Sequence, residues 1–344
     1  MSVNSQAVTL WLPDLASIVQ GAAETELKTL KLPALQTLLA KSDGFNAAKD
    51  DFYGRGCYLF HQKSMFPVAA TMASLPFKRV TEDFWIRAEP VQMIPDRDSL
   101  VMIPPQELAM TDAELEALFD HFNQHFKQDG VQLEWGSHRD WYCRLPQVID
   151  LTTTALTDAA YQNVKDLYPQ GSAAPYWHQL INETQMLFYT HPVNEARRQN
   201  GQPEINSIWF WGEGQLLPSQ TVPRQDTSLW SDHLYLKGLA NIAQSSVQPA
   251  VHNCEAWSEQ KLENASNSHL IHYDVSAELA ALQSLTELLT QLEQKWFAPL
   301  LQQVQQQRIH SLLLDFGGSK RYHITPKHLQ RFWRWRKSLE SRWV

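Results

Sequence analysis

The residues best placed to do chemistry lie between Tyr189 and Gln215, in the stretch YTHPVNEARRQNGQPEINSIWFWGEGQ. His191-Pro192-Val193-Asn194-Glu195 predicts the start of a helix, because proline is tolerated in a first turn and fixes a suitable φ. Arg197 and Arg198 fall near the end of that helix, where cations suit the dipole, and Asn200-Gly201 closes it in the left-handed conformation. The run from Asn206 to Trp211 has the length and composition of a strand, and it empties into Gly212-Glu213-Gly214. A buried strand that ends in a glycine turn presents backbone N–H groups at the carboxyl end of a sheet, where α/β proteins keep their ligands. Asn194, Arg197, Asn206, Trp211, Gly212 and Gly214 are therefore the candidate anion-binding residues. Trp211 to Gly214 is expected at the carboxyl edge of the sheet, with Asn194 and Arg197 beside it. The plainer alternative is a helix, a loop and a core strand whose glycines serve only the turn.

Elements that position such a site are legible on both sides of it. Ala7 to Leu12 is a short strand stopped by Pro13-Asp14, and Asp14 either serves as a ligand beyond a first strand or caps the next turn. Leu32 to Leu39 predicts a helix with Pro33 in its first turn. From Phe84 to Leu145 the pattern changes to strands at 84–92, 100–103, 131–135 and 141–145, with a turn at Pro95-Asp96-Arg97-Asp98. Within that block, Thr111-Asp112-Ala113-Glu114 forms a capping box ahead of a helix carrying Leu115, Leu118, Phe119, Phe122 and Phe126. Such a block suits a small α+β insertion at 82–147 within an α/β core made of 1–81 and 148–344. His121, His125 and His138 fall in it, and no carboxylate set completes a metal site there.

Further along, Leu156 to Leu167 and Tyr176 to Tyr189 predict helices, and Ser231-Asp232 leads into another over His233 to Ala243. Leu270 to Asp274 reads as a strand ending in a carboxylate. A long amphipathic helix is expected over Leu279 to Gln306, followed by a buried strand from Ser311 to Asp315. The fold class is thus α/β, a mainly parallel sheet flanked by helices.

Composition bounds what this architecture can do. With 344 residues and 43% hydrophobic content, the chain can bury one large core or two smaller ones. A formal net charge of −8 argues against a general nucleic-acid binder. Cys57, Cys143 and Cys254 are isolated, which predicts reduced thiols in a cytoplasmic protein rather than a zinc site or a disulfide frame. No apolar run is long enough to span a membrane. There is no P-loop, no G-x-S-x-G elbow and no G-x-G-x-x-G after a strand. Asp315-Phe316-Gly317 spells a kinase triplet without its companion motifs.

The stretch from Tyr189 to Gln215 resembles the NxxR…GxPxAN…WGxG segment of archaeal-type, cofactor-independent phosphoglycerate mutases through Asn194, Arg197, Gly201, Pro203, Asn206, Trp211, Gly212 and Gly214. Nearly the whole chain resembles an RpfE-type family of proteobacterial proteins described as regulatory proteins or phosphoglycerate mutases. The resemblance implies an alkaline-phosphatase-like fold. It aligns Met65 to Leu75 with the superfamily's nucleophile segment, where a Ser or Thr at a helix N-terminus attacks phosphate. Ala69 and Ala70 occupy that region here, while Thr71 and Ser74 lie deeper in the helix. Asp14, Asp274 and Asp315 match three carboxylate ligands of the superfamily's two metal ions. Ala277, Glu278 and Phe316 stand where its histidines belong. The most this set supports is one divalent ion, with Mg²⁺ the suited choice for oxygen ligands.

These departures point to a catalytically degenerate phosphoglycerate mutase-like protein, with no cofactor, that acts as a regulatory or partner-binding protein. A metal-dependent mutase or phosphatase with a non-standard ligand set is the alternative. A third reading is an accessory protein for a nucleic-acid enzyme such as the exonuclease RecJ, since genes of the resembling family often lie beside that of RecJ. A protein partner, including RecJ, is thus expected and a membrane is not. Nucleic acid enters only through residues 320–344, where eight Lys or Arg face the single acid Glu340, so this tail carries +7 and the remainder −15. The competing expectation for the tail is a docked amphipathic helix with Leu329, Phe332, Trp333 and Leu339 facing the core.

Overall fold

A computed structural model describes residues 6–46, 51–77, 83–96, 99–137, 139–217, 221–260 and 266–339. Its strands in chain order are β1 (Gln6–Trp11), β2 (Asp43–Asn46), β3 (Phe84–Asp96), β4 (Ser99–Ile103), β5 (Leu133–Ser137) and β6 (Asp140–Leu145). They continue with β7 (Ser207–Gly214), β8 (Thr227–Trp230), β9 (Ser246–Gln248), β10 (Ser268–His272), β11 (Ile309–Asp315) and β12 (Lys320–Ile324). The chain divides into two units, one made of Met1–Met65 with Val222–Val344 and one of Phe66–Thr221.

The first unit holds a seven-stranded sheet in the order β2-β12-β11-β1-β10-β8-β9. β11, β1, β10, β8 and β9 run parallel, and β12 joins β11 antiparallel. Strand residues alternate as burial on one face demands: Val8 and Leu10 of β1, with Leu312 and Leu314 of β11, enter the core. Helical residues Leu288, Leu292, Trp296, Leu300 and Val304 recur every four positions and fill the same core. This is the mainly parallel, helix-flanked sheet that the sequence predicts.

The long helix expected over Leu279 to Gln306 is broken. Val275–Leu282 stops at Gln283, which turns left-handed at φ 56°, and Ser284 caps the next helix, Leu285–Leu292, by accepting the Glu287 N–H. A π turn then runs from Glu293 to Phe297, ahead of Pro299, which has no N–H to continue the ladder. Buried Glu293 uses both carboxylate oxygens to accept the N–H groups of Ala34 (2.6 Å) and Leu35 (3.0 Å). Those are orphan donors at the start of the helix Pro33–Lys41, so one carboxylate caps a helix that is distant in sequence.

The second unit is built on an antiparallel sheet, β4-β3-β6-β5, with β7 paired to β3. The capping box at Thr111 is present in both halves and opens the helix Asp112–His125. Its Leu115, Leu118 and Phe122 pack with Trp177, Ile181 and Phe188 of the helix Ala174–Tyr189. Leu156 to Leu167, expected as a helix, is helical only over Leu156–Ala159. The unit spans 66–221 rather than 82–147 because β7 hydrogen-bonds to β3, which draws the helices preceding β7 into this core. The expected turn residues Arg97 and Asp98, and His138, lie outside the described residues. All three cysteines are buried thiols. No helix among the described residues is long and apolar enough to cross a membrane.

Candidate functional site at the carboxyl edge of the parallel sheet

In a parallel α/β sheet, side chains just beyond the strand carboxyl ends converge on one edge. In the first unit β1 delivers Pro13-Asp14 there, β8 delivers Ser231-Asp232-His233, β10 ends in His272 before Tyr273-Asp274, and β11 ends in Asp315. The expected carboxylates do reach this edge, where Asp14 and Asp274 each have one oxygen engaged by a neighbouring helix residue. Asp14 takes the Ser276 hydroxyl on Oδ2 (3.1 Å) and adopts φ 66° at the head of the helix Leu15–Gln20. Asp274 caps the helix Val275–Leu282 by accepting the Ala277 N–H (2.9 Å).

Asp315 is fully buried, and its charge is met by two equally buried arginines. Arg55 Nη1 lies 2.9 Å and Arg321 Nε 2.7 Å from the same oxygen, Oδ2. Oδ1 accepts the Gly317 N–H (3.0 Å), and Arg55 Nη2 also donates to the Gly318 carbonyl (2.9 Å). Arg321 lies over the Tyr58 ring at 4.0 Å, a cation–π contact. Burial draws its guanidinium below the usual arginine range, with Asp315 opposing that shift.

The superfamily's two-metal set does not fit these residues. A divalent ion approaching Asp315 Oδ2 meets two guanidinium charges already within ion-pair distance of it. Among the described residues no group of three His, Cys, Asp or Glu side chains is arranged to hold a metal ion.

The same edge carries a histidine pair. His272 Nδ1 lies 3.1 Å from the hydroxyl of buried Ser231, which also accepts the His233 N–H at 3.0 Å. Phe52 stacks on Trp11 (4.9 Å between centroids) and packs against His233 (4.6 Å) and His272 (5.7 Å). Burial in this aromatic box pushes both imidazoles down to about 4; for His272 the neighbouring His233 adds to the drop, and Asp274 opposes it for both. Both rings are therefore neutral near pH 7. Arg55, Arg321, Ser231, His233 and His272 are not legible as site residues from sequence. The available signal is positional, a polar residue directly after each parallel strand.

The six candidate anion-binding residues stand in the second unit, on and beside β7, not on the parallel sheet. Asn194 is fully buried; its amide donates to the carbonyls of Phe188 (2.9 Å) and Ile205 (2.8 Å), and its oxygen accepts the Ile205 N–H (2.8 Å). Arg197 is 1% exposed and points into protein: Nε donates to the Pro203 carbonyl (2.5 Å), Nη1 pairs with Glu114 (2.9 Å) and Nη2 donates to the Leu108 carbonyl. Asn206 exchanges two bonds with the Met93 backbone, at 2.7 and 2.9 Å, as a ladder residue would. Trp211 is buried and stands opposite Arg87 in the β3–β7 ladder. Asn194, Arg197 and Asn206 thus staple helix, loop and sheet together, because every buried donor needs an acceptor and the backbone supplies them.

Nor does the glycine turn offer an anion cradle. The Gly212 N–H donates to Thr153 Oγ1 (3.0 Å), and the Glu213 carboxylate takes the Thr153 N–H (3.2 Å) and hydroxyl, which places negative charge on the turn. Glycine is required there by close packing of the segment that opens the helix Val68–Ala73. A Cβ on Gly212 (φ 70°) would lie 3.0 Å from Val68 Cβ, and one on Gly214 (φ 147°) would lie 2.6 Å from two Pro67 ring atoms. Gly214→Ala is therefore expected to lower stability by at least about 2 kcal/mol, from positive φ and overpacking together. A urea midpoint unchanged from the parent would contradict this.

The helix Val68–Ala73 is the segment aligned with the superfamily nucleophile. Thr71 is fully buried, and its hydroxyl donates back to the Pro67 carbonyl (2.7 Å).

The parallel sheet, its flanking helices and its carboxyl-edge carboxylates define an α/β protein of alkaline-phosphatase-like fold. In whole-chain comparison it is similar to a cofactor-independent phosphoglycerate mutase from Thermoplasma acidophilum (TM-score 0.54, 13% identity, covering 98% of this chain and 94% of that one). It is equally similar to a Pyrococcus horikoshii protein (TM-score 0.54, 12% identity, 93% and 87% covered). In sequence it is 26% identical over 174 residues to a probable 2,3-bisphosphoglycerate-independent phosphoglycerate mutase of Geobacter sulfurreducens, over 50% of this chain and 42% of that protein. A Methanosarcina acetivorans 2,3-bisphosphoglycerate-independent phosphoglycerate mutase is 35% identical over 57 residues, 17% of this chain and 14% of that protein. The matched stretches thus span less than half the length of these curated relatives. No family model matches the chain. The chain is thus remotely similar, in part of its sequence and in its fold, to cofactor-independent phosphoglycerate mutases.

Proposed function

We propose that this chain is a catalytically degenerate phosphoglycerate mutase-like protein that works by binding a protein partner in a regulatory role. The observation that carries this reading is the Arg55–Asp315–Arg321 cluster. At the edge where the fold places phosphoryl-transfer metals, the one buried carboxylate is neutralised by two fixed guanidinium groups. Metal-assisted phosphoryl transfer needs carboxylates free to hold cations and a hydroxyl free to attack. Here Asp315 serves as a counter-ion, and Thr71, the hydroxyl nearest to the aligned nucleophile position, is buried and bonded to Pro67.

The test is turnover of 2- and 3-phosphoglycerate and of a generic phosphate monoester, with Mn²⁺, Mg²⁺ or Zn²⁺ supplied, beside Thr71→Ala and Asp315→Ala variants. No metal-dependent turnover is expected, since loss of nucleophile and metal ligands removes several orders of magnitude of rate. Metal-dependent turnover that disappears in either variant would overturn the reading in favour of an active phosphotransferase.

A further inference from the structure

Among the described residues the C-terminal segment does not form the docked amphipathic helix that its sequence allows. After the short 3-10 helix Pro326–Gln330 the chain runs without regular structure to Leu339. Phe332 is 78%, Trp333 61% and Trp335 79% exposed, so three large rings stand on the surface of the first unit. The segment is nevertheless held in place. Arg331 makes a bidentate pair with Asp43 (2.6 and 2.9 Å) and donates to the Lys41 carbonyl (2.9 Å). Arg334 adds a second contact to Asp43, whose carboxyl is held down to about 2, chiefly by its bond to Arg331. Gln36 donates to the Lys337 carbonyl (2.8 Å), and Leu339 is buried in the core. Anchors at 331, 334, 337 and 339 leave 332, 333 and 335 facing outward. A groove of ≈ 860 Å³ separates this strip from the helix Pro33–Lys41, lined by Leu39, Ala40, Trp333, Trp335 and Lys337 among others.

Charge identifies the occupant. Residues 320–339 contain seven Lys or Arg and no acid, in a chain whose net charge is −8. Arg321 is committed to Asp315, and Arg331 and Arg334 to Asp43. Lys327, Arg336 and Lys337 remain exposed in the same segment, and Lys337 shares the groove lining with Trp333 and Trp335. Exposed aromatic faces alternating with cations fit a polyanion that offers flat apolar faces of its own. Unpaired bases on a phosphate backbone have both features, whereas a duplex hides its base faces. We propose that residues 327–339 form a binding strip for single-stranded nucleic acid. Trp333, Trp335 and Phe332 stack on bases, and Lys327, Arg336 and Lys337 lie along the phosphates. This proposal rests on residues separate from the Asp315 cluster and stands whether or not the carboxyl edge is catalytic.

The experiment is fluorescence anisotropy of the full chain with a labelled oligothymidylate, a duplex of equal length, and polyglutamate as competitor, over a salt series. Two variants accompany it: Trp333→Ala with Trp335→Ala, and Arg336→Glu with Lys337→Glu. All four residues lie outside the core, and thermal melts check that the fold is kept. The single strand should bind more tightly than the duplex, with a log–log salt slope of about −2 for three neutralised phosphates. The tryptophan variant should lose about tenfold or more in affinity with the slope retained. The charge variant should both weaken binding and flatten the slope. The proposal is overturned by no binding at ~100 µM strand in low salt, by equal affinity for duplex, or by affinity unchanged in either variant. Polyglutamate displacing the strand through the charges alone, with the tryptophan variant unaffected, would instead assign the strip to an acidic protein surface.

Discussion

Asp315→Asn should destabilise the protein by about 3–5 kcal/mol, because it strands two guanidinium groups, each 1% exposed, without their counter-charge. In the parent both lie within ion-pair distance of one oxygen, Arg55 Nη1 at 2.9 Å and Arg321 Nε at 2.7 Å. Asparagine keeps the shape and can still accept the Gly317 N–H, so the loss reports charge rather than packing. Breaking a buried ion cluster on one side is far more damaging than removing all of it. A triple variant with apolar residues at Arg55, Asp315 and Arg321 should therefore recover much of the loss. Urea unfolding of the single and triple variants, with m-values compared, is the measurement. A single variant within about 0.5 kcal/mol of the parent would mean that the arginines find other compensation. Asp315 would then not be acting as their necessary counter-ion, and its assignment away from metal ligation would fall.

The second large effect is expected on acidification. His233 and His272 titrate at about 4 in the folded chain and near the ordinary 6.5 when unfolded. Their folded values are depressed, so as pH falls below about 6.5 the unfolded state takes up protons that the native state refuses. Stability should therefore be full above that pH and decline until about pH 4, where the native imidazoles also charge. The decline is up to about 3 kcal/mol per imidazole, because each tenfold difference in proton affinity between the two states is worth about 1.36 kcal/mol. The test is a series of urea titrations from about pH 7 to about pH 4, with His272→Asn beside the parent. Removing one of the two protons should roughly halve the pH slope contributed by this pair. A variant with the parent's slope would locate the acid sensitivity elsewhere and show that His272 is not held neutral by its surroundings.

Both effects depend on groups that the sequence does not bring together. Local chemistry is strongly encoded. Thr111 and Glu114 are three residues apart and make both halves of their capping box, because a cap is decided within one turn of chain. The alternation in β1 and β11 and the four-residue stripe through Trp296 and Leu300 fix which faces are buried, and from them the parallel sheet and its helices follow. The tryptophan-rich run Trp209–Trp211 is legible as a strand for the same reason.

Which sheet that strand joins is not a local property. β7 pairs with β3, more than a hundred residues earlier, and this pairing moves Asn194, Arg197 and Asn206 from the expected ligand edge into the hydrogen-bonding frame of the second unit. An Asn or Arg beside a glycine turn has the same composition whether it holds an anion or a carbonyl, and only the identity of the acceptor distinguishes the two. Gly212 and Gly214 read as a ligand turn until Val68 and Pro67 are seen against them. Arg55, Arg321 and Asp315 lie on three separate elements, and their convergence exists only once β11 and β12 pair and the helix Phe52–Leu59 brings Arg55 to Asp315. The sequence by itself determined the elements, their buried faces, and the presence of carboxylates after the parallel strands. Tertiary structure decided whether each charged group faces a ligand or another charge, because long-range pairing, not residue type, sets what stands within hydrogen-bond reach of a buried atom.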